Sequence, residues 1–155
     1  MLLVVFLPFL WTLSMRGKSD LVGDVLGAPH PGQIIWWYFD AEGGVGKSTM
    51  CRNLVSNHGA IVQCGKKSDI HYAYNGERIA NFDIARAASE YIPDEAIEDI
   101  KNGMLFSEKY ESGMKVFEIP HDVVFANCLP ADGKFSDDRI DLRDSFPLTI
   151  DCDSE

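Results

Sequence analysis

Residues 34 to 49 read "IIWWYFDAEGGVGKST", and this stretch constrains the chain more than any other. An unbroken apolar, β-branched and aromatic run from Ile34 to Phe39 is the pattern of a strand buried on both faces of a parallel sheet. It runs straight into a glycine-rich loop. Ala41, Gly46, Lys47 and Ser48 keep the spacing of a relaxed phosphate loop, with alanine where the strict pattern has glycine. Such glycines let backbone N–H groups converge on a phosphate that a side chain would hold off. The cradle spans Ala41, Glu42, Gly43, Gly44, Val45, Gly46, Lys47, Ser48 and Thr49. Lys47 supplies a point charge, Ser48 a hydroxyl for Mg²⁺, and a helix beginning near Ser48 turns its positive end toward the anion. The expected ligands are therefore ATP and Mg²⁺.

A chain of 155 residues supports one core domain. Its formal net charge of −10 argues against broad, non-specific attraction to nucleic acid, so any such contact must use a local basic element. The four cysteines, Cys51, Cys64, Cys128 and Cys152, form no CxxC pair and read as structural thiols of an intracellular protein. His30, His58, His71 and His121 show no metal-ligand spacing.

Residues 1–15, "MLLVVFLPFLWTLSM", are apolar but too short to span a bilayer as a helix, and Pro8 interrupts them. They have no preceding basic residue and no clear small-x-small cleavage site. The expectation is a segment outside the catalytic core and no stable membrane anchor, with a signal segment as the alternative. Residues 16–31 hold a short amphipathic helix candidate and a Pro/Gly linker, 32–143 the core domain, and 144–155 an acidic tail.

Within the core, the pattern predicts a helix from about Ser48 to Asn57 with Met50, Leu54 and Val55 inward and Gly59 just beyond its end. Strands are expected at 60–64 and 77–85, the latter delivering Asp83 at its end. "PDEAIEDIKNG" carries strong helix punctuation: Pro93 first, Asp94 and Glu95 at the positive end, Lys101 at the negative end, Gly103 as the stop. "MLFSEKYESGMKVFEI" reads as a hairpin turning at Glu111–Gly113, and "DVVFAN" as the last buried strand. The class is α/β with a mainly parallel sheet flanked by helices and a protruding β-hairpin.

Asp83 is the natural second magnesium group, or else a turn aspartate; beside the phosphate loop the magnesium role is the better account. Ile84 follows it, so no adjacent carboxylate is available to polarise water. Asn127 ends an apolar strand, where an amide can hold attacking water or a phosphate oxygen, or simply begin a loop.

Several motifs occur in order: "IIWWYFDAEGGVGKST", "NFDIAR", "YIPDEAIEDIKNGMLFSEKYES", "PHDVVFANCLP" and "FSDDRIDL". From about Gly32 to Leu142 the chain resembles the helicase domain of replication-associated proteins of small circular single-stranded DNA viruses, a superfamily 3 helicase group shared with small RNA viruses. The resemblance implies a P-loop NTPase of AAA+-like form and an ATP-hydrolysing enzyme. In it Lys47 and Ser48 belong to Walker A, Asp83 to Walker B and Asn127 to a sensor. It implies that Lys109, Tyr110 and Lys115 on the hairpin grip single-stranded DNA or RNA in the pore of a homo-oligomeric, hexameric ring. Without the resemblance those lysines are a solvated hairpin edge. Arg139 stands where the group carries an arginine finger, the alternative being a salt bridge to Asp137 or Asp141. The host nucleus is the implied location for a viral replication protein. No His-x-His site or nucleophilic tyrosine precedes Gly32, so nicking is not expected of these residues.

Rival readings are a partitioning-type ATPase, a metabolite kinase and an ATP-binding remnant without turnover. Glu42 stands where the first needs a lysine, and no arginine-rich lid marks the second. The single acid at Asp83 keeps the third open.

Overall fold

The computed structural model describes residues 34–44, 46–63, 65–84 and 92–144. The expected segments 1–15 and 16–31, Val45, Cys64, and nearly all of the acidic tail lie outside the described residues. Among the described residues, no helix is long and apolar enough to cross a membrane.

The apolar run after Ile34 forms strand β1 (Ile35–Phe39), whose first four residues are buried. It is hydrogen-bonded in parallel on both edges, to β6 (His121–Ala126) and β7 (Ile140–Asp144). β3 (Ile79–Ile84) pairs with β6, and β2 (Ile61–Gln63) with β3, giving a five-stranded parallel sheet in the order β2-β3-β6-β1-β7. Every residue of β6 is buried, as a strand covered on both faces requires. The chain leaves β1 toward one side of the sheet and finally crosses to β7 on the other. The loop after β1 thus stands at the switch point, where open α/β sheets form crevices beyond their carboxyl ends.

Helix α1 (Lys47–His58) packs on one face through Met50, Cys51 and Leu54. Gly59 ends it at φ 63, its N–H bonding Leu54 O. Val55, expected to point inward, is 40% exposed. The buried stripe runs Lys47, Met50, Cys51, Leu54, at spacings of three and four, and leaves Val55 at its edge.

On the other face, Ile35, Trp37, Ala80, Phe82, Val124 and Ala126 meet Ile70 and Tyr74 and the Ala96, Ile97 and Ile100 side of a second helix. That helix, here α3, spans Asp94–Lys101; Pro93 precedes it rather than opening it, and its carbonyl accepts the Ala96 and Ile97 N–H groups. Between β2 and β3 lies α2 (Lys67–Ala73), a helix the sequence pattern did not predict. Burying residues such as Trp37 and Phe82 contributes about 1.5–3 kcal/mol each or more.

The hairpin is present as β4 (Met104–Ser107) and β5 (Gly113–Val116), antiparallel, with the turn at Glu108–Ser112 and Gly113 already in the strand. Gly103 links α3 to it at φ 76, where a Cβ would sit 3.1 Å from the Phe117 carbonyl oxygen. That carbonyl belongs to the residue whose N–H bonds Gly103 O, so glycine closes the base of the hairpin. β6 is the last buried strand, as expected, but an edge strand that the pattern did not predict, β7, follows it beside β1.

One polar pair is sealed inside this framework. Lys101 has no exposed surface and Asp122 almost none. The Lys101 ammonium donates to Pro120 O at 3.1 Å, while neither Asp122 oxygen has a hydrogen-bond partner among the described residues. Burial pushes the Asp122 carboxyl up to about 8, partly countered by Lys101 and reinforced by Glu98. Burial likewise lowers the Lys101 pKa, against the pull of Asp122. A carboxyl whose folded pKa is raised contributes stability below its unfolded pKa near 3.8 that is lost as pH climbs toward the folded value. Asp122→Asn should therefore gain on the wild type in thermal stability as pH rises from about 4 toward 8, and hold a constant offset above. Parallel pH–stability curves for the two proteins would refute this account of the pair.

Candidate phosphate site at the carboxyl ends of the sheet

β1, β3 and β6 end side by side, and each carries a polar group just where its ladder stops. Asp40 extends β1 by one more bond, its N–H donating to Ala126 O at 3.1 Å. Asp83 lies opposite Phe125, and Asn127 follows the last residue of β6. The glycine loop then turns with positive φ at Gly43 (84°), Gly44 (85°) and Gly46 (88°), values that favour glycine. Gly46 caps α1 in the left-handed conformation; the helix has no side-chain N-cap bond and no acidic residue in its first turn. Its positive end is left to an anion.

Lys47 is 9% exposed, and its ammonium lies 2.9 Å from Asp40 Oδ2. The Glu42 N–H donates to the other oxygen, Asp40 Oδ1, at 3.2 Å. Burial alone would raise the Asp40 pKa; bonding to Lys47 and to the Gly43 and Glu42 N–H groups, with the Lys47 charge, holds it below the usual carboxylate range. Asn127 Nδ2 donates to the Asp40 carbonyl at 2.7 Å and ties the end of β6 to the root of the loop. Ser48 Oγ donates to Asp83 Oδ2 at 3.2 Å. Ala41, Glu42, Gly44, Ser48 and Thr49 are exposed at the mouth. Behind it, burial pushes the Cys51 thiol up to about 12, with Asn81 opposing and Asp83 reinforcing, so this thiol is inert packing.

Lys47, Ser48, Asp83 and Asn127 are thus brought together. Arg139 is not. It immediately precedes β7, and its carbonyl accepts the Ile35 N–H, which puts it at the amino end of the sheet. Five residues of β1 separate the two ends, about 16 Å. Its guanidinium pairs with Glu98 rather than with Asp137 or Asp141. Asp141 is taken by Arg143, which also lies 4.3 Å over the Trp36 ring.

The hairpin residues form a separate group. Tyr110 is 85% exposed at the turn with φ 56, unusual for a residue with a side chain, and its ring lies 5.0 Å from that of Tyr72. Lys109 pairs with Asp69. Lys115 donates to the carbonyls of His71, Tyr72 and Tyr74 at 2.9, 2.9 and 2.6 Å, and caps the end of α2. Tyr72, Asn75, Ser107, Tyr110 and Lys115 line an open concavity of about 750 Å³. Met104, Phe106, Met114 and Val116 leave one hairpin face apolar and exposed.

Sequence reasoning passed over two residues that matter here. Asp40 was legible as an acid seven positions before the loop lysine. Tyr72 lay in a helix that the pattern did not mark.

No family model matches the chain. It is 38% identical over 133 residues to the master replication protein of banana bunchy top virus, covering 85% of this chain and 46% of that protein. To the master replication protein of milk vetch dwarf virus it is 37% identical over 131 residues, with 84% and 46% covered. To Para-Rep C1 of the faba bean necrotic yellows C11 alphasatellite it is 35% identical over 131 residues, with 83% and 46% covered.

The two hairpin lysines should behave differently on removal. Lys115→Met should cost about 2 kcal/mol, because charge-assisted bonds to three carbonyls are lost, whereas Lys109→Ala should cost less than about 1 kcal/mol for an exposed pair. Chemical denaturation of the two variants reads the difference directly, and equal costs would contradict these assignments. The chain is thus similar to master replication proteins and Para-Reps, and it spans about half the length of the curated relatives it matches.

Proposed function

We propose that this domain is the ATP-hydrolysing helicase part of a replication-associated protein and moves along single-stranded DNA or RNA. The observation that carries the proposal is the meeting of Lys47, Ser48, Asp83 and Asn127 at the ends of adjacent parallel strands, around a loop with three left-handed glycines. The kinship with master replication proteins supports a replication role; those names say nothing of ATP.

In this reading the loop amides and Lys47 bind the β- and γ-phosphates. Ser48 Oγ and Asp83, already 3.2 Å apart, form a hard oxygen pair that suits Mg²⁺, a cation that keeps several waters and takes phosphate oxygens as its other ligands. Bound there, Mg²⁺ would neutralise charge on the phosphate oxygens. Lys47 stabilises the charge of the transferring group, and Asn127 orients the attacking water in line. Arg139, remote from its own subunit's loop, reaches a neighbour's γ-phosphate in a homo-oligomeric ring, a hexamer by resemblance. To do so it exchanges Glu98 for phosphate.

The hairpin offers Tyr110 and Tyr72 for base stacking, with Lys109 beside them for phosphate. Lys115 acts differently from expectation here: committed to the end of α2, it holds the hairpin rather than reaching outward. In this reading the protein acts in the host nucleus.

A binding module without turnover is the second reading. It is favoured by Ile84 following Asp83, which leaves no adjacent carboxylate beside the Asp83 pair with Ser48.

Steady-state ATP hydrolysis by the whole chain, with and without single-stranded DNA or RNA, separates these readings. Lys47→Ala and Asp83→Asn should each lower turnover on the order of a hundredfold or more. Tyr110→Ala should leave unstimulated turnover unchanged and weaken nucleic-acid binding about tenfold, the loss of roughly one stacked base. Tight ATP binding with no turnover under any condition would instead establish the binding module.

A further inference from the structure

The loop that is read as a phosphate cradle already holds an anion of its own. Asp40 Oδ2 takes the Lys47 ammonium at 2.9 Å, and Asp40 Oδ1 takes the Glu42 N–H at 3.2 Å. These are donor types with which such a loop binds phosphate: a lysine and a backbone amide. The contact is also well shielded, since the side chains of Lys47 and Asp40 are 9% and 10% exposed.

The backbone of Asp40 is pinned by the sheet, and its side chain only by the loop contacts just described. Its N–H is held by Ala126 O and its carbonyl by Asn127 Nδ2, so the main chain cannot follow a ligand. Once those contacts are given up, rotation about its own side-chain bonds carries the carboxylate away, which requires no rearrangement of the sheet. A phosphate arriving at Lys47 would meet this negative charge at close range, and the two anions cannot share one ammonium without repulsion.

We propose that the Asp40 carboxylate is an internal stand-in for phosphate: it occupies Lys47 and the Glu42 amide in the resting protein, and an incoming polyphosphate must displace it. This rests on the loop being a polyphosphate site, and it makes Asp40 a positioning residue that acts through Lys47. The ligand class follows. A single phosphate brings little more charge than the carboxylate it replaces, whereas a di- or triphosphate bridges several loop donors at once and wins the exchange. Asp40 therefore sets a threshold against free phosphate and monophosphates.

The test is calorimetric titration of the whole chain with magnesium ATP, inorganic tripolyphosphate and orthophosphate. It compares wild type, Asp40→Asn, Lys47→Ala and the double variant. Asp40→Asn keeps the shape and removes the charge; Asp40→Ser serves in its place if thermal unfolding shows that the asparagine variant does not fold. The expected result is that Asp40→Asn tightens ATP and tripolyphosphate about tenfold and makes orthophosphate binding detectable. In the Lys47→Ala background the same substitution should give no gain, which a purely structural role of Asp40 does not predict. Unchanged or weaker binding by Asp40→Asn, with Lys47-dependent binding intact in the wild type, overturns the stand-in alone. A gain that persists without Lys47 overturns it too. Failure of every folded variant to bind ATP or tripolyphosphate overturns the polyphosphate site, and the stand-in with it.

Discussion

The structure depends on β1 being hydrogen-bonded along both edges. β6 and β7 hold it in parallel register from Ile35 to Phe39, and its side chains are buried on both faces. A strand clamped in this way delivers the next residue to a fixed point in space. Asp40 is that residue, and its amide and carbonyl are both taken by β6 and the residue after it. The glycine loop begins from a rigid post, and its positive-φ glycines steer Lys47 back toward the same post. The chemistry proposed for the loop is built on that rigidity, since preorganised donors lose little on binding.

Much of this was legible in the chain. The apolar run of β1 and the glycine spacing mark the loop, and Asp83 and Asn127 were found because each closes an apolar strand. What escaped has identifiable causes. β7 reads Ile-Asp-Leu-Arg-Asp, an alternating edge pattern among acidic residues that resembles a tail more than a strand. Its Leu142 is exposed, and its Arg143 covers Trp36 instead of facing only water. α2 has seven residues and only Ile70 and His71 buried, too short a stripe for helical periodicity to register. Lys101 sits in the last turn as expected, but it is also buried in the core and donates to Pro120 O, a contact across 19 residues that no local rule contains.

The hairpin shows how tertiary context reassigns charge. Lys109 and Lys115 looked like a basic tip on an acidic protein. In the fold one is answered by Asp69, and the other by three carbonyls at the end of α2. What reaches outward is aromatic: Tyr110, in a backbone conformation that side chains rarely adopt, with Tyr72 beneath it. Base stacking needs no net positive surface, so a net charge of −10 does not by itself exclude a single-stranded ligand. Arg139 has been reassigned in a similar way. Its partner is Glu98 at the amino end of the sheet, far from the loop of its own chain.

The central claim is that a nucleotide's phosphates lie in the loop between β1 and α1. A crystal structure of the chain with Mg²⁺ and a non-hydrolysable ATP analogue tests it most directly. The account predicts the β- and γ-phosphates within hydrogen-bonding distance of Lys47 and the loop amides, with the metal held between Ser48 and Asp83. Phosphates bound elsewhere on the domain, with Lys47 remote from them, would contradict it.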